Sequence, residues 1–118
     1  MEITLRAHRA FLDPEIAEII KRRLGSAIGR IQPFVRRVTA QLEDENGDKG
    51  GLDKLCTVIV DVQGSGRVVV RERRESFVAA ATTAAHRISL AVRSRLHRRR
   101  GIRRGRPMEA YLEVVLPG

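Results

Sequence analysis

The sequence predicts an α+β domain in which the chain order β-α-β-β-β-α builds a four-stranded sheet with two helices on one face. Two segments repeat apolar residues at three- and four-residue steps, which is typical of helices that dock on a core. Four other segments alternate apolar and polar residues or are rich in β-branched ones, as strands are. A chain of 118 residues suffices for one small domain and leaves no room for a second globular unit.

The first strand and the first helix are indicated near the start of the chain. Residues 1–6 alternate apolar and polar side chains and predict a short strand. Asp13 and Pro14 predict a helix start, because the carboxylate caps a free backbone N–H and proline follows where its missing N–H costs nothing. Gly29 is expected to end this helix. Its buried stripe is expected to comprise Ile16, Ile20, Leu24, Ala27 and Ile28.

A strand and a long loop are expected next. Residues 34–42 alternate in the manner of a strand, but Arg36 and Arg37 interrupt the alternation at its start and leave its phase open. Residues 43–54 are polar and rich in glycine, with Asn-Gly and Gly-Gly pairs that favour turns. We therefore expect this stretch to form a loop.

Two further strands are expected to follow as a hairpin. Residues 55–62 are β-branched and almost entirely apolar, so this strand is expected to lie inside the sheet. The Gly-Ser-Gly sequence of residues 64–66 predicts a tight turn. In residues 67–73 three arginines and one valine share one face of the strand, and two further valines share the other face. One face of the sheet is therefore expected to be exposed to water.

The second helix is predicted to begin after Ser76 and to end at Gly101, followed by a flexible basic tether. Residues 109–116 return to β character and would either add an edge strand to the chain's own sheet or pair with another subunit in self-association. The predicted division is a domain over residues 1–100 and a basic, β-prone tail over residues 101–118. The buried stripe of the second helix is expected to comprise Phe77, Ala80, Ala81, Ala84, Ile88, Val92 and Leu96.

Arginine is concentrated in one segment, residues 76–108, which contains nine arginines and no acidic residue. The remaining fourteen of the 23 lysines and arginines equal the 14 acids, so the formal net charge of +9 belongs to this segment. A solvated helix end, with cations near the negative pole of the helix dipole, is one explanation. A solvated face normally mixes both signs, however, whereas an unmixed cluster repels itself until phosphates neutralise it, which favours a polyanion-binding surface.

A second basic group and the scarcity of aromatic residues refine this interpretation. Lys21, Arg22 and Arg23 lie in the second half of the first helix, where they either complement the helix dipole or provide a second contact for the same polyanion. The chain has only three phenylalanines, one tyrosine and no tryptophan, which disfavours a platform that stacks unpaired bases. Recognition of phosphates and of nucleic-acid shape is the remaining prediction.

Several other functions are disfavoured. No run of apolar residues approaches the length of a membrane span, and we expect a soluble, cytoplasmic protein with no membrane partner. The single Cys56 cannot form an internal disulfide and is expected to pack in the core. His86 and His97 form no recognisable catalytic set, and the loop from Asp44 lacks several calcium-ligand positions. We therefore predict no enzymatic activity, no metal, no cofactor and no small-molecule substrate.

The loop carries a resemblance to a known family. Residues 44–56 have the sequence Asp-Glu-Asn-Gly-Asp-Lys-Gly-Gly-Leu-Asp-Lys-Leu-Cys, similar to an Asp-x-Asn-Gly-x-x-Gly-Gly-x-Asp-Lys-x-Cys loop. That loop occurs in some members of the ribosome hibernation-promoting factor and ribosome-associated inhibitor family, which has the predicted element order. The resemblance covers about residues 1–100. Further positions that support it are Pro14, Ile16, Arg23, Phe77, Ala79 and Ala80.

The resemblance implies a protein that sits in the tRNA and mRNA channel of the small ribosomal subunit and holds idle ribosomes inactive. It also implies a short form, without the separate C-terminal dimerisation domain of long members. The second helix departs from the family pattern, because Ala81 and Ala85 replace acids, His86 replaces a lysine and Ser89 replaces an arginine. Individual rRNA contacts are therefore not transferred from the family to this chain.

The leading hypothesis from the sequence is a non-enzymatic factor that binds the small ribosomal subunit and its rRNA during stress or low growth and inhibits translation by steric exclusion. The order helix, three strands, helix is also that of double-stranded RNA-binding domains, which recognise RNA shape. The alternative is a general basic nucleic-acid-binding protein of the nucleoid or of RNA, without a ribosomal target. The predicted RNA-binding residues are Lys21, Arg22, Arg23, Arg87, Arg93, Arg95, Arg98, Arg99, Arg100, Arg103, Arg104 and Arg106.

Overall fold

The computed structural model describes residues 2–8, 10–45 and 53–104, with side chains described as far as Arg98. This part of the chain contains four strands and two helices in the predicted order, so the α+β class is confirmed. A short 3-10 helix, Gly29–Phe34, joins the first helix to the second strand. The elements are β1 (Ile3–His8), α1 (Pro14–Ile28), β2 (Val35–Asp44), β3 (Lys54–Val62), β4 (Gly66–Arg74) and α2 (Phe77–Arg104).

The four strands form one mixed sheet in the order β1-β2-β3-β4. β1 is parallel to β2, whereas β2, β3 and β4 are joined antiparallel. A parallel pair needs a crossover connection, and α1 provides it. Because β1, β2 and β4 then point the same way and each helix follows a strand, α1 and α2 run parallel to each other. Their basic second halves therefore lie towards the same end of the domain.

The core lies between the helices and one face of the sheet. Along β3, Cys56, Val58 and Val60 are fully buried, and their neighbours across the sheet on β2 and β4 are buried as well. The predicted apolar stripes of both helices are confirmed, since their members are buried or pack against the buried cluster. The helix side chains that are buried in the core are Ile20, Leu24, Ile28, Ala80, Ala81, Ala84, Ala85, Ile88, Val92 and Leu96.

Both helix starts are capped by side chains. Asp13 Oδ1 accepts a hydrogen bond of 2.8 Å from the backbone N–H of Glu15, which confirms the predicted N-cap of α1. Ser76 Oγ accepts from the N–H of Ala79 at 3.1 Å and caps α2 in the same way. The first buried turns of α2 are built from alanine, and these small side chains let the helix approach its neighbours closely.

An irregularity at the start of β2 decides which of its residues face the core. Val35 pairs with Val62 and Arg37 pairs with Asp61, so Arg36 is an extra residue in the ladder, a β-bulge. Beyond the bulge Val38 is buried and the strand alternates regularly. The two adjacent arginines disturbed the sequence pattern because one of them is the additional residue of the bulge.

The turn between β3 and β4 is formed by glycine in the left-handed region, as the sequence predicts. Gly64 has a φ of 71° and Gly66 a φ of 76°, values that side chains with a Cβ rarely adopt. Strand β4 then alternates between exposed and buried side chains, so its arginine face is exposed to water as expected.

The loop predicted over residues 43–54 is slightly shorter in the structure. Strand β2 extends to Asp44, and strand β3 already begins at Lys54.

The predicted end of the second helix is wrong. α2 continues through Gly101 to Arg104. Glycine inside a helix costs about 1 kcal/mol relative to alanine, and the arginines that surround Gly101 are strong helix formers that offset this cost. The rest of the predicted tether and the β-prone residues 109–116 lie outside the described residues. No helix in the described part of the chain is long and apolar enough to cross a membrane.

Candidate nucleic-acid interface

A groove runs between α1 and α2 on the side of the two helices that faces away from the sheet. Its α1 wall presents Arg23 and Ser26, and its α2 wall presents Thr82 and His86. Arg22 lies beside it, in an adjoining concavity on α1 that shares Arg23 and Ser26. Arg23 Nη1 donates a hydrogen bond of 3.0 Å to Thr82 Oγ1, which ties the two helices together and holds this guanidinium over the groove. We call this surface the inter-helix groove.

The predicted cluster on α1 faces solvent. Lys21, Arg22 and Arg23 are all exposed, and no acidic side chain within the described residues pairs with them. Helix α1 carries no basic residue in its last turn, so dipole complementation explains little of this cluster. Exposed cations without partners are available to an anionic ligand.

Arg93 belongs to the same side of α2 as the inter-helix groove. It follows His86 by seven residues, two helical turns, and therefore lies on the same stripe. The side chain is half-buried, and its Nε is buried with no hydrogen-bond partner in the part of the chain that the structure describes. Because the Nε itself is not exposed, a phosphate can reach this arginine only through the exposed part of its side chain.

Arg87 and Arg95 face away from this groove, towards the free edge of β4. Arg87 Nη1 donates to Glu72 Oε1 at 2.6 Å and to the backbone carbonyl of Arg71 at 3.3 Å. Arg95 Nη1 donates to the carbonyls of Ser65 and Arg67 at 2.9 and 3.0 Å. These two arginines therefore cover backbone acceptors of an edge strand, which otherwise invite pairing with another chain.

The C-terminal part of α2 passes beyond the end of the sheet. A helix of 28 residues is about 42 Å long, whereas the nine residues of β4 span about 30 Å. Arg95 already contacts the β3–β4 turn, so the residues after it project past the turn. Arg98 is exposed there and donates to Ser94 Oγ of its own helix at 3.1 Å. The helical backbone places Arg99, Arg100, Arg103 and Arg104 on the same projection.

The structure thus divides the predicted RNA-binding residues. Arg23 lines the inter-helix groove, and Arg22 lies beside it. Arg93 lies on the same stripe of α2 as His86, which lines that groove. The arginines after Arg95 lie on the projecting end. The structure does not bring Arg87 or Arg95 to the inter-helix groove. Arg106 lies outside the described residues.

The sequence reasoning missed a second basic concavity. Arg36, Arg37 and Arg67 line a groove of about 640 Å³ at the end of the sheet, together with Asp61 and the glycine turn. We call it the sheet-end groove. The interruption of the β2 alternation by two adjacent arginines was the signal for it, because a bulge redirects side chains.

The opposite end of the sheet is held by ion pairs. Lys54 Nζ lies 3.1 Å from Asp53 Oδ1 and 3.1 Å from Asp44 Oδ2, and the Asp53 side chain is fully buried. The hydrogen bond that Lys54 donates to Asp53, with the one it donates to Asp44, raises the pKa of Lys54 above its ordinary value. The Glu45 N–H donates to the Asp53 carbonyl at 2.9 Å. The Asp-Lys pair of the family-like loop therefore closes the base of the β2–β3 hairpin.

Two further carboxylates at this end are paired with arginine. Glu72 accepts from Arg87 and from Arg74, and these guanidinium groups, chiefly Arg87, hold its pKa below the ordinary range. Glu45 accepts two hydrogen bonds from Arg73, which lower its pKa in the same way. Charge at this end of the domain is neutralised internally.

Chemistry at the remaining candidate residues is limited. Cys56 is buried in the core, as predicted, and burial raises the pKa of its thiol to about 12. A thiol with so high a pKa is a poor nucleophile at neutral pH. No cluster of three or more histidine, cysteine or acidic side chains within the described residues could hold a metal ion.

No protein-family model matches the chain, and no curated protein has a matching sequence. A ribosomal subunit interface protein from Coxiella burnetii has a similar structure, with a TM-score of 0.64 at 13% identity over 77% of this chain and 92% of that one. The Protein Y N-terminal domain of Thermus thermophilus gives a TM-score of 0.62 at 22% identity over 78% of this chain and 96% of that one. The predicted resemblance is thereby confirmed for the architecture, and this chain has the fold of ribosomal subunit interface proteins.

Proposed function

We propose that this protein binds the small ribosomal subunit, occupies the channel used by tRNA and mRNA, and keeps idle ribosomes inactive by steric exclusion. The observation that carries the proposal is the combination of a fold shared with a ribosomal subunit interface protein and a basic helix surface without acidic partners among the described residues. Fold alone does not define function, so the charged surface must supply the contacts.

The inter-helix groove and the projecting end of α2 form the binding surface. Arg22, Arg23 and Arg93 contact rRNA phosphates along the groove, and the arginines from Arg98 onward contact phosphates beyond the sheet. Guanidinium groups suit this role because their planar fork donates two hydrogen bonds to one phosphate. Such contacts position the protein on folded RNA and do not recognise base sequence.

The salt dependence of binding tests the phosphate contacts. If Arg22, Arg23 and the arginines of residues 76–108 other than Arg87 and Arg95 each neutralise one phosphate, a plot of log affinity against log salt should have a slope of about −6 to −8. Binding of the labelled protein to purified small subunits across a salt series measures this slope. A slope near zero would contradict the proposal.

A charge-matched pair of variants locates the surface. Arg93→Ala/Arg98→Ala removes two cations from α2, and Arg6→Ala/Arg71→Ala removes two exposed cations from the open face of the sheet. The α2 variant should reduce the magnitude of the slope by about 1.4 to 1.8, and the sheet variant should change it by much less. Equal losses would show that binding follows net charge alone.

Competition and partition experiments test the target and the channel. Small subunits preloaded with mRNA and initiator tRNA should exclude the protein, whereas empty subunits should bind it. In cell extracts the protein should sediment with small subunits or whole ribosomes. Equal partition into DNA fractions would instead support the general nucleic-acid-binding alternative.

A further inference from the structure

The sheet-end groove lies outside the helical surface to which the proposed function assigns rRNA contacts. It is built where β2 begins and where the β3–β4 turn closes the sheet. Arg37, Asp61 and Arg67 are paired across adjacent strands in one row, so their side chains lie side by side on the open face. Three arginines and one carboxylate leave this groove with a formal excess of two positive charges.

The β-bulge is the reason that two consecutive residues serve one site. Successive side chains of a regular strand point to opposite faces, which would send Arg36 away from Arg37. The register shift between Val35 and Arg37 breaks this alternation, and both arginines line the groove. Both side chains are exposed, and neither has a hydrogen bond or an ion pair with any described residue.

Asp61 orients Arg67, the third arginine, and leaves the Nη atoms of its guanidinium group free to bind a ligand. Arg67 Nε donates to Asp61 Oδ1 at 2.9 Å, and the Nη groups of Arg67 make no hydrogen bond among the described residues. The guanidinium is thus held on one side and presents its terminal donors on the other. This arrangement leaves a planar pair of donors for a tetrahedral anion.

The remaining walls indicate which ligand the groove accepts. Gly64 and Gly66 form the turn without side chains, so the ligand can approach the backbone closely. No aromatic side chain lines the groove, so a base has nothing to stack on. A volume of about 640 Å³ is within the usual range of small-ligand sites, about 300 to 1,000 Å³.

We propose that the sheet-end groove is a phosphate-binding site, in which Arg36, Arg37 and Arg67 bind the phosphate groups of a phosphorylated ligand. The phosphate comes either from the backbone of the RNA that the helices bind or from a free phosphorylated small molecule. The first source rests on the proposed function, whereas the second does not. Arg95 contacts the same turn from α2, so an RNA strand on the projecting end can reach the groove.

Inorganic pyrophosphate is the first probe, and the backbone amide signals of Val62, Gly64 and Gly66 are the readout by nuclear magnetic resonance. Pyrophosphate should shift these signals in the full chain. The variant Arg36→Ala/Arg37→Ala should weaken the apparent affinity at this turn by about fivefold or more, because two charge-assisted contacts are lost. Both arginines are exposed, and thermal unfolding of the variant should match that of the parent protein.

The matched control is again Arg6→Ala/Arg71→Ala. Arg71 lies on the same face as Arg67, four residues further along β4, which is about 13 Å away. The control loses the same two charges and should weaken pyrophosphate binding at the turn by less than about twofold, since the groove itself is intact. The proposal would be overturned if both variants weakened pyrophosphate binding equally. It would also be overturned if pyrophosphate shifted other backbone amide signals but not those of the turn.

Small ribosomal subunits are the second probe and identify the source of the phosphate. If the RNA backbone enters the groove, Arg36→Ala/Arg37→Ala should also lower the magnitude of the salt slope for subunit binding by about 1.4 to 1.8. If the slope is unchanged while the pyrophosphate effect remains, the groove takes a free phosphorylated ligand. If the protein does not bind subunits but the pyrophosphate effect remains, the proposed function fails and the site stands.

Discussion

The two ends of the β-sheet contain similar residues in opposite arrangements. At the paired end, where β2 finishes and β4 leads into α2, the described lysine and arginines all have acidic partners. At the open end, where β2 begins and β3 turns into β4, only Arg67 of the three groove arginines is paired, with Asp61. The described charges of the paired end are neutralised within the protein, whereas those of the open end are the ones that we propose bind a ligand.

This difference shows why charge counted along a chain and charge arranged in space are separate quantities. By count, the excess of +9 belongs to residues 76–108 and the rest of the chain is neutral. In the structure Arg87, inside that segment, is neutralised by Glu72. Arg36 and Arg37, inside the neutral remainder, have no acidic partner among the described residues. Four substitutions can break or sharpen this contrast.

The largest effect is expected from Lys54→Met at the paired end. This change leaves the fully buried Asp53 without the cation that it contacts, and an unpaired buried charge is strongly destabilising. We expect the unfolding temperature, measured by circular dichroism, to fall on the order of 10 °C. The control is Arg36→Met at the open end, which should shift it by no more than about 2 °C. If the unfolding temperature fell by a similar amount in both variants, the charges at the two ends would not differ in their contribution to stability.

The next largest effect concerns the glycine turn of the open end. Gly66 has a φ of 76° and open space around its Cβ position, so Gly66→Ala adds backbone strain without a clash. We expect a loss of about 1 to 2 kcal/mol in the free energy of unfolding, measured with urea.

Gly29 provides the matched control for this turn. It has an ordinary helical φ of −52° and equally open space, so Gly29→Ala should be neutral or stabilise by up to about 1 kcal/mol. Destabilisation of equal size by both changes would show that the strain at Gly66 is not the cause.

A smaller effect is expected from Arg95→Ala, where α2 meets the open end. The variant frees the carbonyls of Ser65 and Arg67, and we expect a loss of about 1 kcal/mol in the free energy of unfolding. It should also increase self-association at high concentration, measured by analytical ultracentrifugation, because the β4 edge is less covered. The control is Arg98→Ala, which removes a hydrogen bond within α2. It should leave the fraction of monomeric protein unchanged.

The smallest effect is the pH dependence that Glu72 contributes. Arg87 and Arg74 lower its pKa in the folded protein, so its stabilising contribution is complete above the ordinary glutamate value of about 4.3 and is lost as the pH falls through the lowered value. Both arginines are partly exposed, and solvent screening keeps the contribution small. Glu72→Gln should therefore reduce the drop in unfolding temperature between pH 7 and pH 3 by about 2 °C. Glu18→Gln, an exposed control, should leave that drop unchanged.

Much of the fold was predictable because its signals are local. The Asp13 cap, the apolar stripes of both helices and the glycine turn each depend on residues a few positions apart. Gly101 misled the prediction, because a glycine lowers helix propensity by only about 1 kcal/mol and does not by itself end a helix. In this chain the helix continues to Arg104.

The candidate site was less predictable because it depends on partners that are distant along the chain. Nothing near Arg95 in sequence indicates that it contacts Ser65, and nothing near Arg87 indicates Glu72. The Asp53-Lys54 pair had no explanation from the sequence until Asp44 was seen across the hairpin. The bulge at Arg36 was visible only as a broken pattern.

The parallel pairing of β1 with β2 affects the order in which the strands of the sheet can pair during folding. β1 is synthesised first, yet its neighbour in the sheet, β2, begins only at Val35. The remaining strands are joined to one another by hairpins between consecutive segments, which close more easily than distant ones. A nascent chain therefore carries its first strand unpaired until α1 and β2 have emerged, and we expect β1 to join the sheet edge after the hairpins have closed.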